Sequence, residues 1–459
     1  MLLLCSLALA TESHVQSIDD LRAAVAAAQP GDVLILDPGS YDLEHTRSIS
    51  TGGLPDAPIT LRANGATIRS TTVEAIKVSA PDWHFEALSL VGACASDSDC
   101  EHALHIVGEA DRTQVKNCSF VDFNAQIKGN GEEVGGSYVW PDDVVIEGSN
   151  FYDTRPRQTS NPVTKIDVVG GQRWRIVANR IADFEKGEGD TVSYAAFLKG
   201  NSKDGVMERN LVLCSHNFSG GVRVGLSLGG GGTSPDSICE EGTCTPENRS
   251  SILRNNLIVG CSDVGIYLNE AEEARILGNT LYQTSGIDVR FEASSAFLAN
   301  NLLDGRIRER DGGTATLGVN WAELDLSSVF VNPAAGDFNL ASDPGVVDAG
   351  EVHAELTDDY CGRLRDAAPD GGALEYSSAD PCDTTVTHPT PEESGEDSGG
   401  DDTDATEDSR SPDDSGPPAD SKGTADPSAC GCTHAAGSTG LLPGLTAWIA
   451  GRTRRRRNP

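Results

Sequence analysis

A short pattern of apolar and polar positions recurs along the chain. In each copy an apolar pair is followed by one or two polar residues, an asparagine and a further apolar residue. The copies are centred on Asn117, Asn150, Asn179, Asn210, Asn256, Asn279 and Asn301. The last three lie roughly 22 residues apart, which is the length of one coil in a solenoid of stacked strands. An asparagine at the same place in every coil can hydrogen-bond the coils above and below it.

Short apolar strands alternate with turns between these copies, for example at residues 59–62, 75–78, 104–107 and 144–146. No helix long enough to connect two parallel strands separates them, so a coil of three strands and three turns has to supply the connection. A sandwich of hairpins is the competing architecture, but two-residue Asn-Gly turns are nearly missing. We therefore predict an all-β fold, a single right-handed parallel β-helix.

The N-terminal region predicts one short helix. Residues 15–28 have helical apolar spacing, Ser17 is a suitable N-cap, and Pro30 and Gly31 end the segment before the strand Val33–Leu36. Such a helix can cap the open end of a solenoid, whose first coil would otherwise expose its interior and its strand edge.

The two ends of the chain differ in composition from its middle. Residues 1–12 contain an apolar run typical of a secretory signal without its usual basic start, or alternatively a buried strand. The β-helix domain is predicted over 13–386. Residues 387–429 are an acidic segment poor in apolar residues, which predicts a disordered linker.

Residues 430–459 hold Cys430-Gly431-Cys432, a short apolar stretch and a run of arginines. This combination resembles the C-terminal sorting signal of myxobacterial surface proteins, and the resemblance implies attachment at the cell surface or outer membrane. A basic disordered tail is the alternative.

Charge and cysteine content restrict the possible binding partners and the compartment in which the protein works. A formal net charge of -35 makes nucleic acid an unsuitable partner, because phosphate binding requires a basic face. Twelve cysteines, several in close pairs, favour disulfides and a secreted protein over zinc, for which no Cys-x2-Cys pair is present. The predicted disulfide pairs are Cys94 with Cys100, Cys239 with Cys244, and Cys361 with Cys382. The remaining cysteines of the middle region, Cys118, Cys214 and Cys261, are interpreted as small buried residues.

Four successive strands carry the candidate chemistry. Alternation predicts an inward set of Ala196, Leu198, Val222, Val224, Ile266, Leu268, Val289 and Phe291. The outward set is then Phe197, Lys199, Arg223, Tyr267, Asp288 and Arg290. Cations and an aromatic ring along one face suit a chain of acidic sugars, although an ordinary solvated face is the alternative. The glycines at 229–232 and the loop that follows them are placed to wall a groove.

The sequence also resembles a known family. The opening Ser-Ile-Asp-Asp-Leu-Arg at residues 17–22, the Ala-Pro-Ile-Thr-Leu-Arg-Ala at 57–63, and Leu-Lys-Gly-Asn-Ser at 198–202 followed by Gly-Val-Arg at 221–223 are similar to polysaccharide lyase family six. The similarity covers roughly residues 15 to 310. It implies a pectate-lyase-like solenoid that cleaves an acidic, uronic-acid polysaccharide by β-elimination.

The resemblance implies roles for particular residues. Lys199 corresponds to the base that removes the C5 proton, and Arg223 to the residue that neutralises the substrate carboxylate or protonates the leaving oxygen. The places of the family's calcium ligands hold Val192 and Tyr194, so Ca²⁺ is a possible cofactor without its usual ligands, and no metal residue is assigned. Further acidic residues lie upstream, namely Glu185, Glu188 and Asp190.

The remaining expectations concern substrate contacts and alternatives. Phe197, Tyr267, Asp288, Arg290 and His216 are candidate substrate-binding residues, with His216 either a proton relay or a surface turn residue. Hydrolysis would need paired carboxylates, for which Asp263 and Asp288 are the candidates. The competing function is that of a non-catalytic glycan-binding or adhesin-like surface protein. We expect a monomer.

Overall fold

The computed structural model describes residues 10–230, 232–342 and 345–387, and its three long parallel sheets form a right-handed β-helix. The chain passes through sheets 1, 2 and 3 in turn, and neighbouring strands within a sheet come from successive coils. Sheet 1 has twelve strands: Glu12–Val15, Val33–Leu36, Ile59–Ala63, Trp83–Glu86, Gln114–Lys116, Val145–Glu147, Arg175–Val177, Val206–Glu208, Ile252–Arg254, Ala274–Leu277, Ser295–Ala299 and Thr314–Leu317.

Sheets 2 and 3 have ten strands each. Sheet 2 comprises Gly39–Leu43, Ala66–Ser70, Ser89–Gly92, Ser119–Val121, Asn150–Tyr152, Arg180–Ala182, Leu211–Leu213, Leu257–Val259, Thr280–Tyr282 and Leu302–Leu303. Sheet 3 comprises Arg47–Ile49, Glu74–Val78, His102–Val107, Ala125–Asn130, Val163–Val169, Val192–Lys199, Val222–Leu228, Ile266–Asn269, Gly286–Arg290 and Arg306–Arg310.

Smaller elements decorate the coils. A hairpin joins Glu132–Val134 to Ser137–Val139, a second joins Phe330–Asn332 to Asp337–Leu340, and three short strands pair as Ser202–Lys203, Asn248–Arg249 and Ala271–Glu272. Single 3₁₀ turns occur at Asp97–Asp99, Asp236–Ile238, Leu326–Ser328 and Pro333–Ala335.

The apolar core lies between the three sheets, where residues from successive coils stack. Along sheet 2 the column runs through Ile68, Leu90, Phe120 and Phe151, all at most 1% exposed. The rings of Phe120 and Phe151 stack at 5.1 Å between centroids. Identical environments in neighbouring coils explain why the hydrophobic pattern repeats with the coil.

The predicted capping helix is confirmed as Ile18–Ala27. The hydroxyl oxygen of Ser17 accepts a hydrogen bond from the Asp20 backbone N–H at 3.0 Å, which satisfies one of the free donors of the first turn. Leu21 and Val25 point into the core. The strand Glu12–Val15 precedes the helix and pairs with Val33–Leu36.

Five of the seven repeated asparagines form the predicted ladder, at the corner between sheets 1 and 2. At its centre, Asn256 Oδ1 accepts from the Asn210 side-chain amide at 2.9 Å and from its backbone N–H at 3.0 Å. The Asn256 amide in turn donates to Asn279 Oδ1 and to the Met207 carbonyl, both at 2.9 Å. The ladder residues are Asn179, Asn210, Asn256, Asn279, Asn301 and a sixth that the pattern did not predict, Asn320.

The prediction is wrong for the first two asparagines, which lie one residue away from the ladder position. Asn117 occupies the preceding corner residue, with a left-handed φ of 54°, and Asn150 begins a strand of sheet 2. Cys118 and Ser149 take the ladder places instead. The Ser149 hydroxyl accepts from the Cys118 N–H at 3.1 Å, and the Ser149 N–H donates to Asn179 at 2.9 Å.

Residues 318–387 form a C-terminal arm that folds back over the outer face of sheet 2. Its apolar side chains, Phe330 and Phe338 among them, make a second core with Leu211, Leu257 and Leu302. The predicted β-helix domain over 13–386 includes this arm, whose existence the repeat does not indicate.

The three predicted disulfides are confirmed. Cys214 and Cys261 are buried as predicted, but they also form a fourth disulfide between successive coils, which the sequence did not indicate. Cys118 is free, and burial raises the pKa of its thiol to about 12. Such cross-links are typical of extracellular proteins.

No helix among the described residues is long and apolar enough to cross a membrane. The signal-like residues 1–9, and nearly all of the predicted linker and sorting signal, lie outside the described residues.

Candidate active site

A cleft of about 600 Å³ lies on the outer face of sheet 3. Two neighbouring strands, Val163–Val169 and Val192–Lys199, supply most of its floor. The floor and the adjoining sheet contribute Lys128, Thr164, Asp167, Val169, Val192, Tyr194, Phe197 and Lys199. The walls come from Pro162, Val163, Lys186 and Asp190 on one part of the rim and from Gly230, Gly232, Thr233, Ser234 and Ile238 on another.

The strand Val192–Lys199 reverses its inside–outside alternation once. Tyr194 and Phe197 both line the cleft although they are three residues apart, and the two residues between them, Ala195 and Ala196, are fully buried. The neighbouring strand has the same reversal, with Thr164 and Asp167 in the cleft and Lys165 and Ile166 fully buried. Strict alternation, counted backwards from Lys199, therefore gives the correct side for Leu198, Phe197 and Ala196 but the wrong side for the residues before Ala196.

Lys199 reaches into the cleft with its ammonium 4.6 Å from the centre of the Phe197 ring. Among the described residues none makes a hydrogen bond or an ion pair with it. Burial lowers the pKa of Lys199, and Asp167 opposes this by favouring the charged form. The lowered pKa favours the neutral amine relative to an exposed lysine, and the neutral amine is the form that can accept a proton.

The loop after Val222–Leu228 approaches Lys199 closely. A Cβ atom at Gly230 would lie 2.9 Å from the Lys199 Cδ, so only glycine leaves this lysine undisturbed. Glu247 holds the loop by accepting from the Gly200 N–H and from the Thr233 hydroxyl, both at 2.8 Å. The sequence-based expectation that this glycine-rich loop walls a groove is confirmed.

Two further lysines line the cleft, each with an aspartate partner. Lys128 pairs with Asp167 at 2.7 Å, and Lys186 pairs with Asp190 at 2.7 Å. Burial opposes ionisation of Asp167, but Lys128 and Lys199 outweigh it and lower the pKa of the carboxyl. The cleft thus has three lysines against two aspartates in a strongly acidic protein.

Tyr194 brings a phenolic hydroxyl group to the same cleft. Its ring meets Phe197 edge-on at 5.6 Å, so Phe197 lies between Tyr194 and Lys199. Burial, followed by the neighbouring Tyr267, raises the pKa of the phenol to about 12. The hydroxyl group is therefore protonated at neutral pH.

The prediction that Arg223 points outward beside Lys199 is wrong. Arg223 is paired in register with Ser193 and is fully buried, because it lies on the far side of the reversal in alternation. Its guanidinium donates to Glu185 at 2.7 Å, to the Cys214 and Phe218 carbonyls at 3.0 Å, and to the Ser215 hydroxyl. Arg223 thus fastens the corner between sheets 2 and 3.

The same reversal corrects the predicted inward set. Ala196, Leu198, Ile266, Leu268 and Val289 belong to the core as predicted. Val222 is 36% exposed, Val224 is buried outside the main core, and Phe291 is half-buried beneath the Arg290 guanidinium at 4.5 Å.

Tyr267, Asp288 and Arg290 lie further along the outer face of sheet 3. Tyr267 and Asp288 follow Phe197 in one column of the register, through Ser227. Asp288 is buried and accepts from Arg308 at 2.5 Å and from Arg310 at 2.6 Å, and Arg290 donates to the Tyr267 hydroxyl at 3.0 Å. These three side chains extend the face beyond the cleft but do not line it. Both oxygens of the Asp288 carboxylate are held by arginines, so this carboxylate is not free to act in hydrolysis.

His216 is not part of this site. It lies on the other side of the coil, beside a separate groove between sheet 2 and the C-terminal arm. Its backbone N–H donates to Asp183 at 3.0 Å. The alternative interpretation, a surface turn histidine, fits its position.

The cleft does not fit the calcium of the resembling family. Val192 and Tyr194 offer no carboxylate, Glu185 is engaged by Arg223, and Asp190 is engaged by Lys186. Glu188 is exposed on the preceding loop. Calcium prefers several oxygen ligands, and the described residues of the cleft do not gather them.

Sequence reasoning missed Lys128, Asp167 and Lys186 as neighbours of Lys199. Asp167 belongs to the strand one coil earlier and Lys128 to the strand two coils earlier, and the long, unequal loops between the coils hide their register. Lys77, His105, Lys128, Asp167 and Phe197 follow one another in a single column. In each of the four earlier strands a charged residue or a histidine stands at the same register position. This recurrence is the sequence signal that could have revealed them.

No family model matches the sequence, and no curated protein matches it. Among solved structures, the chain is similar to pectate lyase Pel9A with a TM-score of 0.54 and 14% identity, over 80% of this chain and 97% of that one. An alginate lyase from Paenibacillus sp. str. FPU-7 aligns with a TM-score of 0.40 and 15% identity, over 68% of this chain and 95% of that one. A polysaccharide lyase of family PL6 from Pseudopedobacter saltans aligns with a TM-score of 0.39 and 12% identity, over 72% of this chain and 97% of that one. The similarity to Pel9A supports the pectate-lyase-like β-helix fold.

Proposed function

We propose that this protein is an extracellular lyase that cleaves an acidic polysaccharide by β-elimination, with Lys199 as the base. The observation that carries the proposal is the state of Lys199, a half-buried amine without a partner among the described residues and with a lowered pKa. It stands on the floor of a cleft that two further lysines line, Lys128 and Lys186, each paired with an aspartate. The fold similarity to a pectate lyase adds support for this class of substrate.

In the proposed reaction Lys199 Nζ takes the proton from C5 of a uronic acid. The electron pair of that C–H bond forms the C4–C5 double bond, and the bond from C4 to the glycosidic oxygen breaks. Tyr194 donates its phenolic proton to the leaving oxygen, and solvent returns a proton to the phenolate. In this proposal Lys186 and Lys128 exchange their aspartate partners for the substrate carboxylate and stabilise the charge that develops on it.

The proposal differs from the family pattern in its acid. Arg223 is buried and bonded to Glu185, so in this proposal it stabilises the corner between sheets 2 and 3 and does not contact the substrate. Phe197, which is 5% exposed between the base and Tyr194, supplies an apolar surface against which a sugar ring can stack.

The test is an incubation with pectate, alginate and chondroitin, followed by ultraviolet absorbance of unsaturated products. We expect absorbance from the native chain and a loss of about 10²–10⁴-fold in rate for Lys199→Met. Lys203→Met is the matched control, since Lys203 pairs with Glu240 and Glu241 at 3.8–3.9 Å outside the cleft. Binding to these polymers without unsaturated product would instead support the non-catalytic glycan-binding function.

A further inference from the structure

A second cluster of polar side chains lies on sheet 3, one coil before Lys128 at the edge of the cleft. Glu74 begins the strand Glu74–Val78, His102 lies beside it in the register, and His105 follows three residues later. One ligand atom from each of these three residues falls within 4.8 Å of the other two. The Glu74 side chain is 29% exposed, so an ion from solvent can reach the cluster.

Each of the two ring nitrogens of His105 faces an oxygen atom, but a neutral imidazole has only one N–H to donate. Its Nδ1 lies 3.0 Å from Glu74 Oε1, and its Nε2 lies 2.7 Å from Asn130 Oδ1. The Asn130 amide donates to the Gly131 carbonyl at 2.8 Å, which turns its oxygen towards the histidine. A neutral ring has one N–H and cannot donate to both oxygens.

A metal ion between Nδ1 and the carboxylate resolves this conflict. The ring would then donate its remaining N–H, on Nε2, to Asn130, which is the usual second interaction of a metal-bound histidine.

His102 supplies the independent observation. Its Nδ1 atom is buried and has no hydrogen-bond partner among the described residues. Its ring lies 5.0 Å from that of His105, between centroids. A buried ring nitrogen without a partner carries a cost that metal ligation of the ring or its reorientation towards an ion would remove.

We propose that Glu74, His102 and His105 bind one Zn²⁺ ion. Two imidazoles and a carboxylate are a ligand set typical of zinc, with a fourth position left for water, whereas Ca²⁺ prefers oxygen ligands throughout. The nearby cations are already neutralised, because Lys77 pairs with Glu132 and Lys128 with Asp167, both at 2.7 Å. His105 lies three strand spacings from Phe197, about 14 Å, so this site is separate from the proposed base.

The test is calorimetric titration of the metal-stripped full chain with zinc chloride near neutral pH, without any polysaccharide. We expect one ion per chain, and binding weakened about tenfold or more by Glu74→Gln or His102→Gln. His14→Gln is the matched control and should leave binding unchanged, since His14 also lies beside carboxylates, 2.6 Å from Asp37 and 3.8 Å from Glu12, but is without a second histidine.

Two results would overturn the site. The first is that zinc does not bind. The two contacts of His105, with Glu74 and Asn130, would then be those of an imidazolium that donates from both nitrogens. The second is binding that Glu74→Gln and His102→Gln leave intact. If either variant is misfolded by circular dichroism, Co²⁺ added to the native chain decides the question. Intense visible bands of a four-coordinate ion support the site, and the pale spectrum of a six-coordinate ion contradicts it.

Discussion

Lys199 and Arg223 are two cations on adjacent coils of the same sheet, and their surroundings are opposite. Lys199 is half-buried in an open cleft and touches the ring of Phe197, with no ion-pair partner among the described residues. Arg223 is fully buried and donates to a carboxylate, two carbonyls and a hydroxyl. A desolvated amine without partners is available for chemistry, whereas a buried guanidinium whose two terminal nitrogens donate to fixed acceptors is part of the framework.

The contrast comes from one local irregularity, a pair of consecutive inward residues. This pair is Ala195 and Ala196 in the strand of Lys199, and Lys165 and Ile166 in the neighbouring strand. It shifts the inside–outside alternation by one residue along these strands. Lys199 therefore points into the cleft, whereas Arg223, which pairs with the buried Ser193, points inward and braces the corner with sheet 2. The two regions should therefore respond differently to substitution.

Arg223→Met should have the largest effect on stability. The change leaves the Glu185 carboxylate and the Cys214 and Phe218 carbonyls without their donor, which we expect to cost about 3 kcal/mol or more of the free energy of unfolding. Denaturant unfolding followed by circular dichroism measures this. Arg62→Met is the control, because Arg62 makes an ion pair of the same length, 2.7 Å to Glu86, while 49% exposed. The control should lose about 1 kcal/mol or less.

Asn256→Ala should have the next largest effect, because it interrupts the ladder at its centre. The Asn210 amide and the Met207 carbonyl would lose buried partners, at a cost of about 2 kcal/mol or more. Asn117→Ala changes an asparagine of the same sequence pattern that lies outside the ladder, and should cost about 1 kcal/mol for the left-handed φ. Equal losses for the two variants would contradict the one-residue shift.

The smallest effects concern the charge balance around Lys199. The base must be neutral to act, so the proposed activity should rise with pH through the pKa of Lys199. Asp167→Asn removes a charge that raises this pKa, and should move the rise to lower pH by about half a unit or more. Lys128→Met removes a charge that lowers it, and should move the rise to higher pH. The pH dependence of kcat/KM measures both, and shifts in the same direction would contradict the assignment.

Much of the fold could be predicted from the sequence, because each coil repeats the same environments. The asparagine ladder, the capping helix and three disulfides depend on local spacing. Beyond Asn320 the C-terminal arm follows no repeat and packs on sheet 2 through contacts distant in sequence, so it could not be predicted. The Cys214–Cys261 disulfide joins successive coils, and the long insertion between its cysteines, which are 47 residues apart, hid the pairing.

The site was predictable only in part. Lys199 and Phe197 come from one strand and the glycine-rich loop directly follows the next strand of the sheet, and the structure brings them together. Arg223 was misplaced because alternation cannot reveal an inward pair such as Ala195–Ala196, in which two small residues fit side by side inside the coil. Asp167 and Lys128 depend on the register between coils separated by loops of unequal length.

The most direct test of the central claim is the titration of Lys199 itself. Reductive methylation with ¹³C-formaldehyde labels the lysines, and the signal that is absent from Lys199→Arg identifies this residue in the NMR spectrum. We predict that it titrates below the ordinary lysine value of 10.5 and below the exposed lysines of the same protein. A signal that titrates together with the exposed lysines would contradict the account of Lys199 as a desolvated base.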